Sequence, residues 1–193
     1  GVFSLRVISG SRKGLRLKTP KNQNIRPTQD RIKESLFNIL GIIDENSIVL
    51  DLYAGTGNIG IEFLSRGAMK CYFIDNSYEG INLIRENINI SNFNEKSYIY
   101  KKDVLKSLDF FSKNGIVFDY IFMDPPYRQN LPGKTLEIIS KKNVLKDNGI
   151  VVVEHEKKLS LGNRILNLIR TDERDYGDKI ISFYSLITEG EIK

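Results

Sequence analysis

The segment FDYIFMDPPYRQN, from Phe118 to Asn130, combines residue types that can bind an amine. An aspartate follows an apolar run and precedes two prolines and a tyrosine. Because proline cannot donate a hydrogen bond to a sheet, the pair should end a strand at this point. Asp124 and a backbone carbonyl can then both accept from one exocyclic NH2 group, while the Tyr127 ring offers a surface on which a base can stack. The alternative is an ordinary proline-terminated loop in which the aspartate caps a helix.

Acceptors around an amine also change its reactivity. An amino nitrogen conjugated with a base ring is a poor nucleophile, and hydrogen bonds from its two protons stabilise the positive charge that develops as it attacks. We therefore predict a catalytic role for four consecutive residues, Asp124, Pro125, Pro126 and Tyr127.

A glycine-rich motif lies earlier in the chain, in the segment VLDLYAGTGNIG from Val49 to Gly60. Gly55, Gly57 and Gly60 match the pattern G-x-G-x-x-G, and Asp75 follows Gly55 by 20 residues. This spacing is typical of a dinucleotide-binding fold, in which the acid binds ribose hydroxyls. Glycine-rich turns also recur for purely structural reasons, so the pattern alone does not identify a ligand.

Asp51 distinguishes between two kinds of ligand. It lies four residues before Gly55, at the carboxyl end of a predicted strand, where we expect it to face the ligand. A carboxylate there disfavours a pyrophosphate and favours a ligand that carries an ammonium and a sulfonium, such as S-adenosylmethionine. Asp103 can accept from an adenine amino group while Val104 packs on the ring, although capping of the next helix is the ordinary role for Asp103.

Length and composition indicate one globular domain. The chain has 193 residues, of which 40 % are hydrophobic and 27 % charged. Its single cysteine, Cys71, excludes an internal disulfide and a multi-cysteine metal site, and we predict it to be a buried small residue. No apolar run approaches the roughly 20 residues that span a membrane, and no signal peptide is visible, so we expect a cytoplasmic protein. His155, the only histidine, is interpreted as a strand-end residue rather than a general base.

Positive charge is concentrated near the N-terminus. Residues 1–29 contain no acid and seven basic residues, namely Arg6, Arg12, Lys13, Arg16, Lys18, Lys21 and Arg26. Residues 1–34 carry a net charge of +7, and the rest of the chain carries −2. A basic segment on a nearly neutral body is typical of proteins that bind a phosphate backbone. A solvated charged surface is the alternative.

Strands alternate with helices along most of the chain, which predicts a mostly parallel sheet covered by helices. We expect a Rossmann-like, doubly wound α/β fold with a seven-stranded sheet, an antiparallel last strand and an N-terminal β-hairpin. The predicted domains are a basic hairpin extension at residues 1–25 and a catalytic domain at residues 26–193. The predicted core strands are Ile48–Leu52, Cys71–Ile74, Tyr98–Lys101, Tyr120–Met123 and Ile150–Glu154, followed by strands at Arg164–Arg170 and Lys179–Ile187.

The sequence resembles the RsmD-type bacterial methyltransferases almost from end to end. The resemblance rests on RVISGSRKGLRLKTP, RPTQDRIKESLFN, LDLYAGTGNIGIEFLSRGA, DPPY, VVVEHE at Val151–Glu156, and YGDKIISFYS near the end. It implies S-adenosylmethionine-dependent methylation of the N2 amine of a guanine in 16S ribosomal RNA. The expected partner is 16S ribosomal RNA within a small-subunit particle, and naked RNA stays open as the alternative substrate. We expect a monomer that binds no membrane and no metal.

The residue chemistry, the charge distribution and the resemblance together give the expected roles of individual residues. The expected cofactor-binding residues are Thr28, Asp51, Ala54, Gly55, Gly57, Asp75, Asn76, Asp103, Val104 and Asp124. The expected RNA-binding residues are Arg6, Arg12, Lys13, Arg16, Arg26, Arg31 and Arg128. Two departures from the family pattern, Tyr53-Ala-Gly-Thr-Gly57 and Asp75 in place of a frequent glutamate, leave the ribose contact open.

The same sequence features are compatible with other functions. A nicotinamide or flavin oxidoreductase would share the glycine pattern, and a non-catalytic RNA-binding factor would share the basic segment. Asp51 argues against the first, and DPPY argues against both. Among methyltransferases, adenine N6 or a different guanine is possible, because DPPY recognises an amine rather than a base.

Overall fold

The structure is a computed structural model, and it describes residues 4–21 and 27–188. Within these ranges the chain forms five α-helices, a short 3-10 helix at Asn94–Lys96 and eight β-strands. The helices are α1 (Pro27–Leu40), α2 (Asn58–Ser65), α3 (Tyr78–Ser91), α4 (Val104–Lys113) and α5 (Leu131–Lys142). The strands are β1 (Ile48–Leu52), β2 (Lys70–Asp75), β3 (Ser97–Lys101), β4 (Phe118–Met123), β5 (Leu145–Glu156), β6 (Arg164–Ile165), β7 (Leu168–Asp175) and β8 (Lys179–Leu186).

The chain divides into two compact units, residues 1–101 and 102–193. In the first unit β3, β2 and β1 lie side by side in that order and are parallel. Helix α2 packs on β1 and β2, and α3 packs on β2 and β3. The strands β1 and β2 are nearly continuous runs of buried apolar residues, as expected for parallel strands beneath helices.

The N-terminal residues of this unit form the expected hairpin. The Val7 N–H donates to the Leu15 carbonyl at 2.9 Å, and the Leu17 N–H donates to the Leu5 carbonyl at 2.8 Å. Gly10 and Gly14, both with φ near +85°, make the turn possible.

The hairpin is held on α2 by a buried carboxylate. Glu62 has no exposed surface, and its two oxygens accept from the backbone N–H groups of Ile8 and Ser9 at 2.9 and 3.1 Å. Lys33 of α1, which is 2 % exposed, lies 3.2 Å from the same carboxylate. The described part of the N-terminal hairpin is therefore packed against α2.

In the second unit the strand order is β4-β5-β8-β7-β6. Strands β4 and β5 are parallel, whereas β8 is antiparallel to both β5 and β7, and β6 is antiparallel to β7. Both flanks of β5 are thus paired, and its centre, Val151–Val153, is fully buried.

The expected fold class is confirmed, with a mostly parallel sheet and an antiparallel last strand. The strand count differs from the prediction, because the described residues contain eight strands rather than seven. The expected strand at Arg164–Arg170 is divided at Leu166, whose φ of 53° turns the chain between β6 and β7. No helix in residues 4–21 and 27–188 is long and apolar enough to cross a membrane.

Candidate functional site

The glycine loop after β1 is shaped by left-handed backbone. Tyr53, Gly55 and Gly57 have φ values of 55°, 58° and 77°. A non-glycine residue in this region is strained, and such strain often marks a ligand-binding turn. The Ala54 N–H donates to the Ile74 carbonyl at 2.9 Å, and the Gly57 N–H donates to the Ala54 carbonyl at 2.8 Å. These bonds fix the loop against β2.

Asp75 lies beside this loop, as the sequence spacing predicted. Its Oδ2 accepts from the Gly55 N–H at 2.9 Å, and its Oδ1 accepts from the N–H and hydroxyl of Ser77 at 2.9 and 2.8 Å. A Cβ at Gly80 would lie 2.6 Å from Asp75 Oδ1, so glycine lets α3 begin close to the carboxylate. Asp75 is partly exposed and Asn76 is exposed. A partly exposed, acceptor-only group suits the two hydroxyls of a ribose.

Asp51 is buried near the carboxyl end of β1, where we expected it to face the ligand. Its side chain is 1 % exposed, and its Oδ2 accepts from the Gly60 N–H of α2 at 3.0 Å. Gly60 itself is required by packing, since a Cβ there would lie 2.3 Å from Phe73 Cε1. The carboxylate therefore holds the first turn of α2 against β1. Its contact with a ligand ammonium stays a prediction.

Asp103 has the capping role that was its alternative interpretation. It is exposed, and its Oδ1 accepts from the Lys106 N–H at 3.0 Å, at the start of α4. Val104 is buried. Contacts of these two residues with an adenine stay predictions. Thr28 lies in α1 but its side chain is not described, and Arg26 lies outside the described residues.

The DPPY segment follows β4 directly, and the strand ends at Met123 as predicted. Pro125 is buried and Pro126 is exposed. The Arg128 N–H donates to the Pro126 carbonyl at 2.8 Å, which closes a tight turn. The turn presents Asp124, whose side chain is 42 % exposed, and Tyr127, which is 58 % exposed. The second unit therefore offers an acid and an accessible aromatic ring close together.

Two residues that sequence reasoning missed complete this cluster. Lys179 Nζ lies 3.8 Å from Asp124 Oδ1, 3.6 Å from Glu154 Oε1 and 4.5 Å from the centre of the Tyr127 ring. Glu154 belongs to the VVVEHE segment and Lys179 to the YGDK segment, so both motifs were visible. Their meeting depends on the pairing of β5 with β8, which local spacing does not reveal.

The electrostatics of the cluster follow from burial and from these neighbours. Desolvation raises the pKa of Glu154 to about 7, and the like charge of Asp124 adds to the rise while Lys179 opposes it. Desolvation also raises the pKa of Asp124, and the positive charge of Lys179 opposes this rise. Because the Asp124 side chain is partly exposed to water, its desolvation is incomplete. Burial lowers the pKa of Lys179, but the carboxylates and Tyr127 outweigh it, so that the net pKa is raised.

His155 has the structural role that we expected. Its Nε2 is 2.9 Å from the Ser182 hydroxyl and its Nδ1 is 3.0 Å from the Glu156 carbonyl, both within the β5–β8 pair. Burial lowers the pKa of His155. Cys71 is buried, also as expected.

The predicted RNA-binding residues fall into two groups. Lys13, Arg16, Arg31 and Arg128 are exposed. Arg6 is exposed but pairs with Asp30 at 3.0 Å. Arg12 is tied into the first unit, because its Nε donates to the Ser91 carbonyl at 2.7 Å and its guanidinium lies 5.0 Å from the centre of the Phe93 ring.

Comparison with known proteins places the chain among methyltransferases. A Bacillus subtilis protein named as a candidate rRNA methyltransferase is 34 % identical over 180 residues, which are 93 % of this chain and 98 % of that protein. The ribosomal RNA small subunit methyltransferase D of Haemophilus influenzae is 35 % identical over 156 residues, 79 % of each chain. The solved structure of a candidate methylase from the same organism has a TM-score of 0.79 and 27 % identity, and the match covers 96 % of this chain and all of that one.

The α/β fold, the glycine loop and these similarities define a methyltransferase. The oxidoreductase and the non-catalytic RNA-binding factor are thereby set aside. The chain belongs to the family described as conserved hypothetical protein 95, whose model matches residues 5–185.

Proposed function

We propose that the protein uses S-adenosylmethionine to methylate the exocyclic N2 amine of a guanine in 16S ribosomal RNA. The observation that carries the proposal is the DPPY turn, which presents an acid and an exposed tyrosine ring directly after β4. Relatives of the chain are named ribosomal RNA small subunit methyltransferase D, which supports the same substrate class.

The glycine loop of the first unit fits an adenosine cofactor. The Asp75 carboxylate is partly exposed and already organises the loop through the Gly55 N–H, so ribose hydroxyls would meet a fixed acceptor. Ala54, Gly55, Gly57, Asp75 and Asn76 would hold the nucleoside, and Asp51 would act on its charged end. Bound S-adenosylmethionine would supply an electrophilic methyl group. Two structures of similar fold are described as S-adenosylmethionine-dependent methyltransferases, and a third is described as a methyltransferase in complex with S-adenosylhomocysteine.

The DPPY segment of the second unit would hold the target. Asp124 would accept from the amine, and the carbonyl groups of the proline turn would help to orient it. Tyr127 would stack on the base, with an interaction of about 1–3 kcal/mol. The protein's contribution to the rate would be positioning of the amine and stabilisation of the charge that develops on it.

The basic hairpin would position the RNA through its phosphates. Lys13 and Arg16 are exposed and suit this role, together with Arg31 and Arg128. We retain residues 1–25 as a functional RNA-docking segment, and we propose a cytoplasmic monomer that acts on the 16S RNA within a small-subunit particle.

The decisive experiment maps the methylated nucleotide. Ribosomal RNA and small subunits from a strain that lacks the gene would be incubated with the protein and labelled S-adenosylmethionine, then digested and analysed by mass spectrometry. We expect one N2-methylguanine in 16S RNA. We call Asp124 and the carbonyl groups of the proline turn, which would bind the target amine, the amine clamp. An N6-methyladenine product would support the amine clamp but show that the target base is adenine. No label in any RNA would contradict the proposed function.

A further inference from the structure

Two segments that carry the family resemblance, VVVEHE and the start of YGDKIISFYS, have no role in the proposed function. VVVEHE ends β5, and YGDK leads into β8, whose first residue is Lys179. Each contributes one charged side chain to the same place, beside the DPPY turn. The sheet register explains why they meet.

Strands β5 and β8 are antiparallel, with Glu156 opposite Lys179 and Glu154 opposite Ile181. Glu154 and Lys179 are therefore diagonal neighbours on one face of the sheet. Strands β4 and β5 are parallel, with Met123 opposite Val153, so one further residue brings Asp124 beside Glu154. Three neighbouring strands thus direct an ammonium and two carboxylates toward each other.

We propose that Lys179, held in place by Glu154, is a positioning residue of the amine clamp that keeps Asp124 ionised and fixes the Tyr127 ring. The inference rests on the proposed function, since it assigns Lys179 and Glu154 to the same site. Lys179 Nζ is within 4 Å of both carboxylates, and its side chain is only 20 % exposed, so the ammonium is confined between them.

Ionised Asp124 is what an amine clamp requires. An ionised carboxylate only accepts, whereas a protonated carboxyl carries a donor that would oppose the protons of the amine. Lys179 acts on both carboxylates, and Asp124 and Asp178 also act on Glu154, so among these groups only Lys179 is cationic. Its loss would leave Asp124 next to another carboxylate in a partly desolvated position.

The position of Lys179 also restrains the orientation of the Tyr127 ring. The ammonium lies over the ring at 4.5 Å, a cation–π geometry that restrains the ring. The ring keeps 58 % of its surface exposed. A base would therefore stack on the exposed surface of a ring that Lys179 has already oriented.

The test compares Lys179→Met with Lys179→Arg, which retains the charge. The matched control is Lys157→Met, because Lys157 also pairs with a carboxylate, at 2.7 Å from Asp175, but is 57 % exposed. Single-turnover methylation of the RNA would be followed from pH 5 to pH 9 for each variant. In parallel, the Asp124 carboxyl would be titrated by carbon NMR in the protein without RNA or cofactor.

We expect Lys179→Met to move the acid limb of the rate profile to higher pH by about one unit, because an opposite charge at this distance favours the ionised carboxylate. The Asp124 titration should move in the same direction. Lys179→Arg should restore both, and Lys157→Met should change neither.

An unchanged acid limb and an unchanged Asp124 titration in Lys179→Met would overturn the inference. So would an equal loss of rate at every pH with a lowered melting temperature, because that pattern indicates only a structural role. If the wild-type protein methylates no RNA, the proposed function itself fails, whereas an active wild type with an unaltered Lys179→Met profile rejects the inference alone.

Discussion

Two aspartates at the ends of neighbouring strands show how side chains with the same chemistry take different roles. Asp51 is buried, with 1 % of its surface exposed, and its carboxylate accepts from the Gly60 N–H of α2. Asp75 stays partly exposed while it holds the Gly55 N–H. Asp75 is therefore the residue through which cofactor binding is most directly tested.

Replacement of Asp75 by alanine should weaken S-adenosylhomocysteine binding by about 1–3 kcal/mol, the usual loss for hydrogen bonds to a charged group. The measurement is titration calorimetry. Glu79→Ala is the control, because Glu79 is an exposed acid in the first turn of α3 and its loss changes the net charge equally. Equal effects of the two variants would indicate a general charge effect and contradict the ribose contact.

Asp124 should act in methyl transfer more than in cofactor binding, because its proposed partner is the target amine. Asp124→Ala removes one acceptor from a nitrogen that gains positive charge, and loss of one such preorganised partner typically costs about 10²–10³ in rate. Single-turnover methylation and S-adenosylhomocysteine affinity would be measured together. Near-normal turnover would contradict the proposed binding of the amine by Asp124. A loss confined to cofactor affinity would indicate that Asp124 binds the cofactor instead.

Tyr127 should contribute the face of its ring rather than its hydroxyl group. Tyr127→Ala should weaken capture of the RNA substrate by about 1–3 kcal/mol, and Tyr127→Phe should have little effect, since the ring surface provides the stacking. The dissociation constant of a short RNA containing the target base would be measured for both variants. If phenylalanine were as damaging as alanine, the hydroxyl group would be the important feature.

At the scale of elements, the N-terminal hairpin depends on one close approach. Gly10 and Gly14 have φ values of +85° and +84°, so an alanine is strained equally at both positions. A Cβ at Gly10 would lie 1.8 Å from the Ser65 carbonyl oxygen of α2, whereas a Cβ at Gly14 meets no atom within 4 Å. An alanine at Gly14 therefore tests backbone strain alone, whereas an alanine at Gly10 tests the same strain together with the packing of the hairpin on α2.

Gly14→Ala should destabilise the fold by about 1–2 kcal/mol, the cost of a left-handed L-residue. Gly10→Ala should cost about 1–3 kcal/mol more, because the hairpin must move away from α2. Urea unfolding of both variants measures the difference. Equal free energies of unfolding would show that the hairpin can shift without loss, and that its packing on α2 contributes little.

The elements that the sequence predicted well are those with a local signal. The β1 bounds Ile48–Leu52 were predicted as observed. Asp75 lies at the Gly55 loop because the motif itself encodes a strand, a turn, a helix and a second parallel strand. Burial of Asp51 was missed because nothing near it shows that the Gly60 N–H needs an acceptor. Lys179 was missed because its partners come from β4 and β5, and antiparallel register is set by pairing distant in sequence.

At the scale of the whole molecule, positive charge is concentrated in the N-terminal segment and not in the part of the chain that carries DPPY. Residues 1–34 carry a net charge of +7, against −2 for the remaining residues. The basic residues differ in their contacts. Arg12 donates to the Ser91 carbonyl and lies over the Phe93 ring, whereas Lys13 and Arg16 are exposed. Lys13 and Arg16 are consequently the pair on which the RNA-docking proposal is best tested.

The double variant Lys13→Gln/Arg16→Gln should weaken RNA binding and reduce its salt dependence. Each lost phosphate contact lowers the slope of log K against log salt by about 0.7–0.9, so two lost contacts should lower it by about 1.4–1.8. S-adenosylhomocysteine affinity should stay unchanged, because neither side chain belongs to the glycine loop. The measurement is fluorescence anisotropy of labelled 16S RNA fragments across a salt series.

The matched control for that double variant is Lys113→Gln/Lys141→Gln, which lowers the formal net charge from +5 to +3 by the same amount. Both lysines are well exposed, at 74 % and 61 %, and each pairs with an acid on its own helix. A local docking segment predicts that the slope changes only for the Lys13/Arg16 variant, since only residues near the phosphates release counterions. If both double variants lowered the slope equally, RNA binding would follow overall net charge, and the hairpin would act only as a charged surface.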